Sequence, residues 1–336
     1  MTFAVTVGGR SVECAGDQAL LDACLRAGVW MPNSCNQGTC GTCKLHVVSG
    51  EVDHGDSPEE TLTADERAAG MTLACQARPR GDVELRPQGS AAAKAVNPLR
   101  DLTATVLEVS DIARDTRRIV LGLDEPLAFD AGQYVELTVP GSGVRRQYSL
   151  ANTADEDKAL ELHVKLVPGG AATEGWLFSG LAAGEAVEVS GPLGDFRLPD
   201  EADDVGAPMV LIGGGTGLAP LIGIARTALR RHPDRDVVLY HGVRGESELY
   251  DLARLSDLER DYANFRFVPV LSHEPADGYR EGFPTDAFVE DIPSARGWSG
   301  WLCGPPAMVE AGVKAFKRRR MAPRNIHREK FTPADA

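Results

Sequence analysis

The chain has 336 residues, 43% of them hydrophobic, with 49 acidic against 35 basic side chains and a formal net charge of −14. That length allows two or three domains with ordinary cores, and the acidity argues against nucleic acid or an anionic membrane as a main partner. No apolar run approaches the roughly 20 residues needed to span a bilayer, and an odd count of seven cysteines points to a reducing cytoplasm, not to a disulfide scaffold.

An alternating strand at Phe3–Val7 opens the chain without a basic leader, turns at Gly8-Gly9 and returns through Val12 and Cys14. Asp17 is the expected N-cap of a helix with Leu20, Leu21, Cys24 and Leu25 on one face. Cys14 and Cys24 therefore read as core. The next segment is Cys35-Asn-Gln-Gly-Thr-Cys40-Gly-Thr-Cys43, and a fourth cysteine, Cys75, follows downstream. Spacing of C-x4-C-x2-C with a distant fourth thiol is the plant-type ligand pattern of a [2Fe–2S] cluster. Gly38 and Gly41 allow the loop to wrap it closely. A zinc site is the competing reading, although zinc sites usually offer two matched C-x2-C pairs. Strands at Lys44–Val48 and Asp82–Leu85 complete a small β-grasp domain over residues 1–90.

Residues 88–98 are small and polar and end in proline, the composition of a linker, so a mobile first domain is expected. From 99 to 202, alternating segments punctuated by Gly and Pro suggest an antiparallel β-barrel. They are Thr105–Val109, Arg118–Leu121, Tyr134–Val139, Leu160–Val167 and Ala186–Val189. From 206 to 336, strands at Met209–Ile212, Val237–Tyr240, Phe265–Leu271 and Gly300–Cys303 alternate with helices near Leu221–Arg230, Leu249–Tyr262 and Pro306–Arg319. That rhythm predicts a doubly wound parallel sheet. The basic run Lys317–Arg320 reads as a solvated helix end.

Four further motifs could carry chemistry. Arg146-Gln-Tyr148-Ser149 ends a barrel strand with a guanidinium, a phenol and a hydroxyl within four residues. Gly169–Glu174 offers backbone N–H groups at a possible helix start. Gly213-Gly-Gly-Thr-Gly217-Leu-Ala-Pro220 joins a strand to a helix, and Cys303-Gly-Pro-Pro follows a late strand of the same sheet. Each alone could be an ordinary turn or strand.

Together, in this order and spacing, they resemble the ferredoxin–NADP⁺ reductase superfamily. With a plant-type ferredoxin domain in front, the whole chain resembles the three-domain reductase components of bacterial multicomponent oxygenases. Within that group it is most similar to the reductases of aromatic O-demethylase (guaiacol-type) cytochrome P450 systems. Reductases of phenol hydroxylase-like diiron monooxygenases look similar too, including at Gly170–Thr173 and Glu329-Lys-Phe331.

The resemblance implies a [2Fe–2S] cluster on Cys35, Cys40, Cys43 and Cys75, with FAD and NADH as the other cofactors. It implies that Arg146 pairs with the FAD pyrophosphate, Tyr148 packs on the flavin and Ser149 bonds near its reactive N5. His163, Val164 and Lys165 would line the flavin, mainly through backbone, and Gly170, Ala172 and Thr173 would cradle the diphosphate. Gly214, Gly215, Thr216 and Gly217, with Cys303, Gly304 and Pro305, would hold the nicotinamide nucleotide. Ser149, Cys303 and Phe331 would form the catalytic group, with Phe331 covering the flavin ring. Where NADPH-selective relatives carry Ser and Arg, this chain reads His241-Gly-Val-Arg244-Gly-Glu246-Ser-Glu248. Its carboxylates would repel a second phosphate, so NADH is favoured.

The implied activity is an NADH:acceptor oxidoreductase. It takes two electrons from NADH onto FAD and passes them singly through the cluster to a terminal oxygenase, a cytochrome P450, docked at the acidic ferredoxin domain. A diiron phenol or alkane monooxygenase, or a ring-hydroxylating dioxygenase, is the alternative partner. A [2Fe–2S] redox sensor without turnover is the non-enzyme alternative.

Overall fold

The computed structural model describes residues 1–87, 96–156 and 158–332. Most of the expected linker, residues 88–95, lies outside the described residues, and so does the mobility expected of it. By internal contacts the chain divides into two compact units, Met1–Asp101 with Ser190–Asp195, and Leu102–Val189 with Phe196–Ala336.

In the first unit the strands are β1 (Thr2–Val7), β2 (Arg10–Ala15), β3 (Lys44–Ser49), β4 (Val52–Asp53), β5 (Met71–Leu73), β6 (Arg78–Pro79) and β7 (Val83–Pro87). Five of them form a sheet in the order β2-β1-β7-β3-β5, with β1 and β7 parallel, while β4 pairs with β6. Helix α1 (Leu20–Arg26) buries Leu20, Leu21, Ala23, Cys24 and Leu25, and α2 (Ala64–Ala68) starts at a Thr63–Glu66 capping box. Cys14 and Cys24 are fully buried. Burial, first of all, pushes their thiols up to about 11 and about 12, so both are protonated core residues. Asp17 does not cap α1. Ala19 holds that position without a side-chain bond, and the carbonyls of Ala77 and Ala74 accept from Leu20 and Leu21 N–H at 2.9 Å each. Backbone from the segment carrying Cys75 thus does the work expected of a side chain.

The barrel strands are β8 (Arg100–Ala113), β9 (Thr116–Leu123), β10 (Tyr134–Thr138), β11 (Arg145–Ser149), β12 (Ala159–Lys165) and β13 (Ala186–Leu193). Their order is β11-β10-β13-β8-β9-β12. An antiparallel bridge between Leu150 and Leu162 joins the two edges, and alternate side chains such as Val106, Ile119, Val135, Leu160 and Val187 fill the interior.

The last sheet contains β14 (Met209–Gly214), β15 (Val237–Gly245), β16 (Phe265–Glu274), β17 (Arg280–Glu281), β18 (Ser299–Gly304) and β19 (Ile326–Lys330). It is parallel throughout, in the order β17-β16-β15-β14-β18-β19. Met209 and Leu211 pack with α3 (Leu218–Arg231) and α4 (Leu252–Asp261) on one face. Val210 and Ile212 pack with α5 (Pro284–Asp291) and α6 (Pro306–Arg318) on the other. The strict alternation is what two covered faces require. The chain order reverses between β14 and β18, which opens a crevice at their C-terminal ends.

Candidate functional site

In the first unit the cysteine loop turns through three left-handed residues, Asn36, Gly38 and Gly41. A Cβ on Gly38 would meet Gln76 Cγ at 3.1 Å and Pro58 Cδ at 3.2 Å, so this turn needs glycine for space as well as for conformation. The winding aims backbone N–H groups at sulfur. Gln37 and Cys40 donate to Cys35 Sγ at 3.4 and 3.3 Å, and Thr42 donates to Cys40 Sγ at 3.4 Å. Contact with the Cys40 thiol, then with the Thr39 side chain and the Gln37 and Cys40 N–H groups, holds the Cys35 thiol below its ordinary value against the opposing effect of burial. Cys75 Sγ lies 3.2 Å from Cys43 Sγ. Cys40 is exposed, Cys35 and Cys75 are half-buried, Cys43 is buried, and none of the seven cysteines is in a disulfide.

Four thiols with amide donors aimed at sulfur fit an iron–sulfur cluster. Tetrahedral zinc, with Zn–S near 2.3 Å, would draw the sulfurs to within roughly 4 Å of one another. Among the described residues the trio close enough for one metal ion is instead Glu161, His163 and Asp251. Arg118 and Arg254 already pair with its carboxylates, so it is an ion-pair network.

On the barrel, pairing of β10 with β11 sets Arg146 opposite Leu137 and Tyr148 opposite Val135. Arg146 and Tyr148 share one face of the strand, half-buried, and Ser149 is buried on the other. On β12, Val164 points into the barrel core. His163 is fully buried and bonds Glu161 through Nε2 at 2.9 Å, and Lys165 Nζ donates to the Arg114 carbonyl at 2.9 Å. The Gly169–Glu174 segment leads into a single π-helical turn, Thr173–Leu177. Thr173 Oγ1 accepts from Val167 N–H at 3.1 Å and donates to Val167 O at 3.0 Å. The N–H groups of Gly169 and Gly170 are already engaged, with Glu174 Oε2 at 2.6 Å and Val167 O at 3.0 Å. A cradle here therefore falls to the turn's first N–H groups, at Ala172 and Thr173, which have no partner within the helix.

The crevice between β14 and β18 holds a cavity of about 660 Å³. Gly214, Gly215, Thr216, Pro305, Lys165 and Phe331 all line it. The fold thus brings together six expected residues from four stretches of chain, whereas Arg146, Tyr148 and Thr173 lie outside its wall. Two glycines of this turn are spatial requirements. A Cβ on Gly217 would stand 2.2 Å from Cys303 O, and one on Gly214 would stand 2.7 Å from Met308 Sδ. Cys303 is buried directly behind the wall, where burial pushes its thiol up. Strand β19, which sequence reading did not find, pairs Glu329 with Cys303 and Lys330 with Gly304. Phe331 N–H then bonds Gly304 O at 2.9 Å, which sets the aromatic side chain at the cavity.

The two carboxylates expected to disfavour NADPH fall differently. Glu248 lines the cavity and pairs with Arg114 Nη2 at 3.0 Å; Glu246 is exposed. Burial opposes ionisation of Glu248, but Arg114, the Arg244 N–H and Lys165 hold its pKa below the usual range. Glu329 is buried with Oε2 unpartnered, and burial raises its pKa to about 8. The segment Glu329-Lys-Phe331 was visible in the sequence, but the depth of Glu329 was not. Among the described residues no helix is long and apolar enough to cross a membrane.

Comparison with known proteins agrees domain by domain. A 2Fe-2S iron-sulfur cluster binding domain matches residues 5–80, an oxidoreductase FAD-binding domain 103–198, and an oxidoreductase NAD-binding domain 211–314. The reductase subunit of the aromatic O-demethylase of Amycolatopsis sp. (strain ATCC 39116 / 75iv2) is 74% identical over 99% of this chain and all of its own length. The phenol 2-monooxygenase reductase component DmpP of Pseudomonas sp. (strain CF600) is 37% identical over all of this chain and 96% of its own. The crystal structure of the Amycolatopsis cytochrome P450 reductase GcoB superposes with a TM-score of 0.97 over 99% of this chain and 100% of that one, at 74% identity. Likeness of this extent, unbroken through the cluster-, FAD- and NAD-binding regions, makes the chain a member of the iron–sulfur flavoprotein reductases of bacterial oxygenase systems.

Proposed function

We propose that this chain is the NADH-dependent reductase of a cytochrome P450 that O-demethylates aromatic ethers, working in the cytoplasm in aromatic catabolism. The single observation that supports this most is 74% identity, end to end, with a reductase subunit of that kind. The domain limits we adopt are 1–90, 99–202 and 206–336, each of which encloses one family match.

When bound, FAD supplies the conversion of a two-electron donor into single electrons, and the [2Fe–2S] cluster carries them one at a time. The chain's own residues bind, orient and exclude water. Cys35, Cys40, Cys43 and Cys75 hold the cluster, and the N–H groups aimed at Cys35 and Cys40 stabilise negative charge on sulfur. Arg146 offers a bidentate partner for the FAD pyrophosphate and Tyr148 a flat surface for the flavin. Ser149 stands at the strand end as a hydrogen-bond partner for the ring, with the backbone of His163, Val164 and Lys165 beside it. Ala172 and Thr173 receive the diphosphate, and Gly170 allows the tight turn, since a Cβ there would meet Thr173 Oγ1 at 2.8 Å.

The backbone of Gly214–Gly217 and Gly304-Pro305 receives the dinucleotide, and Glu248 disfavours a second phosphate. Phe331 covers the flavin side of the cavity, and Cys303 and Glu329 support it from behind. Twelve carboxylates against seven Lys and Arg in residues 1–87 favour a basic face on the partner oxygenase.

The test is an anaerobic NADH titration followed by reconstitution. Flavin and cluster bands should both bleach, and aromatic O-demethylation should be restored with a purified P450 of that class. Faster electron delivery to a diiron hydroxylase or a Rieske dioxygenase would assign the other partner, and no bleaching would return the sensor reading.

A further inference from the structure

His241 lies on β15 beside Gly213 of β14. It is completely buried, and its Nε2 is 2.9 Å from the carbonyl oxygen of Gly215. A carbonyl can only accept, so Nε2 carries the proton. The other nitrogen, Nδ1, has no partner, and burial keeps the ring neutral by lowering its pKa to about 4. Leu218 N–H also donates to the Gly215 carbonyl in closing the 3₁₀ turn, and Tyr250 adds a longer contact to it, 3.4 Å from Oη. Its ring meets His241 edge-on at 5.4 Å and His163 at 5.0 Å. A burial this costly for an imidazole with one bond calls for a role, and the position of Gly215 supplies one. Gly215 has φ +55°, with open space where a Cβ would stand, and it lines the cavity with Thr216.

A trans peptide points its C=O and the following N–H in opposite directions. With the Gly215 carbonyl turned inward onto His241, the Thr216 N–H is turned outward to the cavity. We propose that His241 is a positioning residue for the nicotinamide dinucleotide: by holding the Gly215 carbonyl it fixes the glycine turn with an N–H donor aimed at the dinucleotide's pyrophosphate. The inference rests on the reading that Gly214–Gly217 receives that nucleotide. His241 touches no substrate and acts through the Gly215–Thr216 peptide.

The experiment compares His241→Phe, His241→Gln and Gly214→Val in the full-length holoprotein. NAD⁺ affinity is measured by calorimetry, KM for NADH and kcat are measured separately, and FAD and cluster absorbance and the melting temperature report folding. Phe keeps the aromatic bulk against Tyr250 but removes the donor. It should weaken NAD⁺ and raise KM about tenfold, the cost of one aligned hydrogen bond, with kcat changed less than about twofold. Gln restores an N–H donor and should recover most of the affinity. If His241→Phe loses absorbance or melts early, His241→Asn, too short to reach the carbonyl, replaces it with the same expectation. Unchanged NAD⁺ affinity in the donor-less variant, with strong loss in Gly214→Val, overturns the positioning role and leaves the turn's role intact. Unchanged affinity in both overturns the nucleotide reading of the turn as well.

Discussion

On the proposed function, the cluster loop and the nucleotide cavity solve the same problem, holding a redox partner with backbone N–H groups, by opposite means. The loop draws three of its four sulfurs from nine consecutive residues and leaves Cys40 exposed. Its amides reach sulfurs two to five residues away. The cavity draws its wall from both the barrel and the parallel sheet, and residues behind the wall, Cys303, Glu329 and His241, hold it in shape. A short loop can be specified by spacing and glycine alone. A crevice at a topological switch point depends on side chains that never touch the ligand.

If that contrast is right, damage to the loop should be local and complete. Cys40→Ser should abolish the cluster absorbance and one-electron delivery to cytochrome c, while NADH-driven ferricyanide reduction through the flavin continues. Loss of both activities together would break the comparison. Damage to the cavity should be graded. Gly217→Ala drives a methyl into Cys303 O and should raise KM for NADH on the order of 100-fold, as misplacement by about an ångström does, with normal cluster and FAD spectra.

Glu248→Gln removes the ionised carboxylate from the wall and leaves Arg114 and Arg244 there. The ratio of kcat/KM for NADH over NADPH should fall roughly tenfold, about 1.4 kcal/mol; an unchanged ratio would move the discrimination elsewhere.

The smallest effect sharpens the role of the supporting layer. Burial raises Glu329 from 4.5 to about 8, so between those values the folded chain keeps a proton that the unfolded chain releases. Stability is then lost as pH rises through that window. From pH 6 to 8 the wild type should lose unfolding free energy relative to Glu329→Gln, and parallel stability curves for the two proteins would refute a buried neutral carboxyl.

Much of this protein was written in local sequence. The cysteine spacing, the alternation of Met209–Ile212 and the glycines at 213–217 act over a few residues, where backbone geometry and side-chain period are decisive. They were enough for an iron–sulfur domain, an antiparallel barrel and a parallel nucleotide-binding sheet. Local pattern misled at Asp17, since the α1 N–H groups found carbonyls at Ala74 and Ala77, more than fifty residues away. It was silent on β19, whose Ile326–Lys330 carries four polar side chains in five residues and becomes a strand only because β18 offers a parallel edge. It gave no role to His241, Tyr250 or Glu329, and although it read Glu248 as a carboxylate set against a second phosphate, it did not reach that residue's ion pair with Arg114. What sets those four apart is burial and a neighbour from another stretch of chain, and both arise only when β14, β15, β18 and β19 are packed side by side. The sequence alone determined which groups could bind iron, flavin and nucleotide; the tertiary structure decided which polar groups lie at depth and aim the backbone, because desolvation and long-range contact do not exist until the chain has folded.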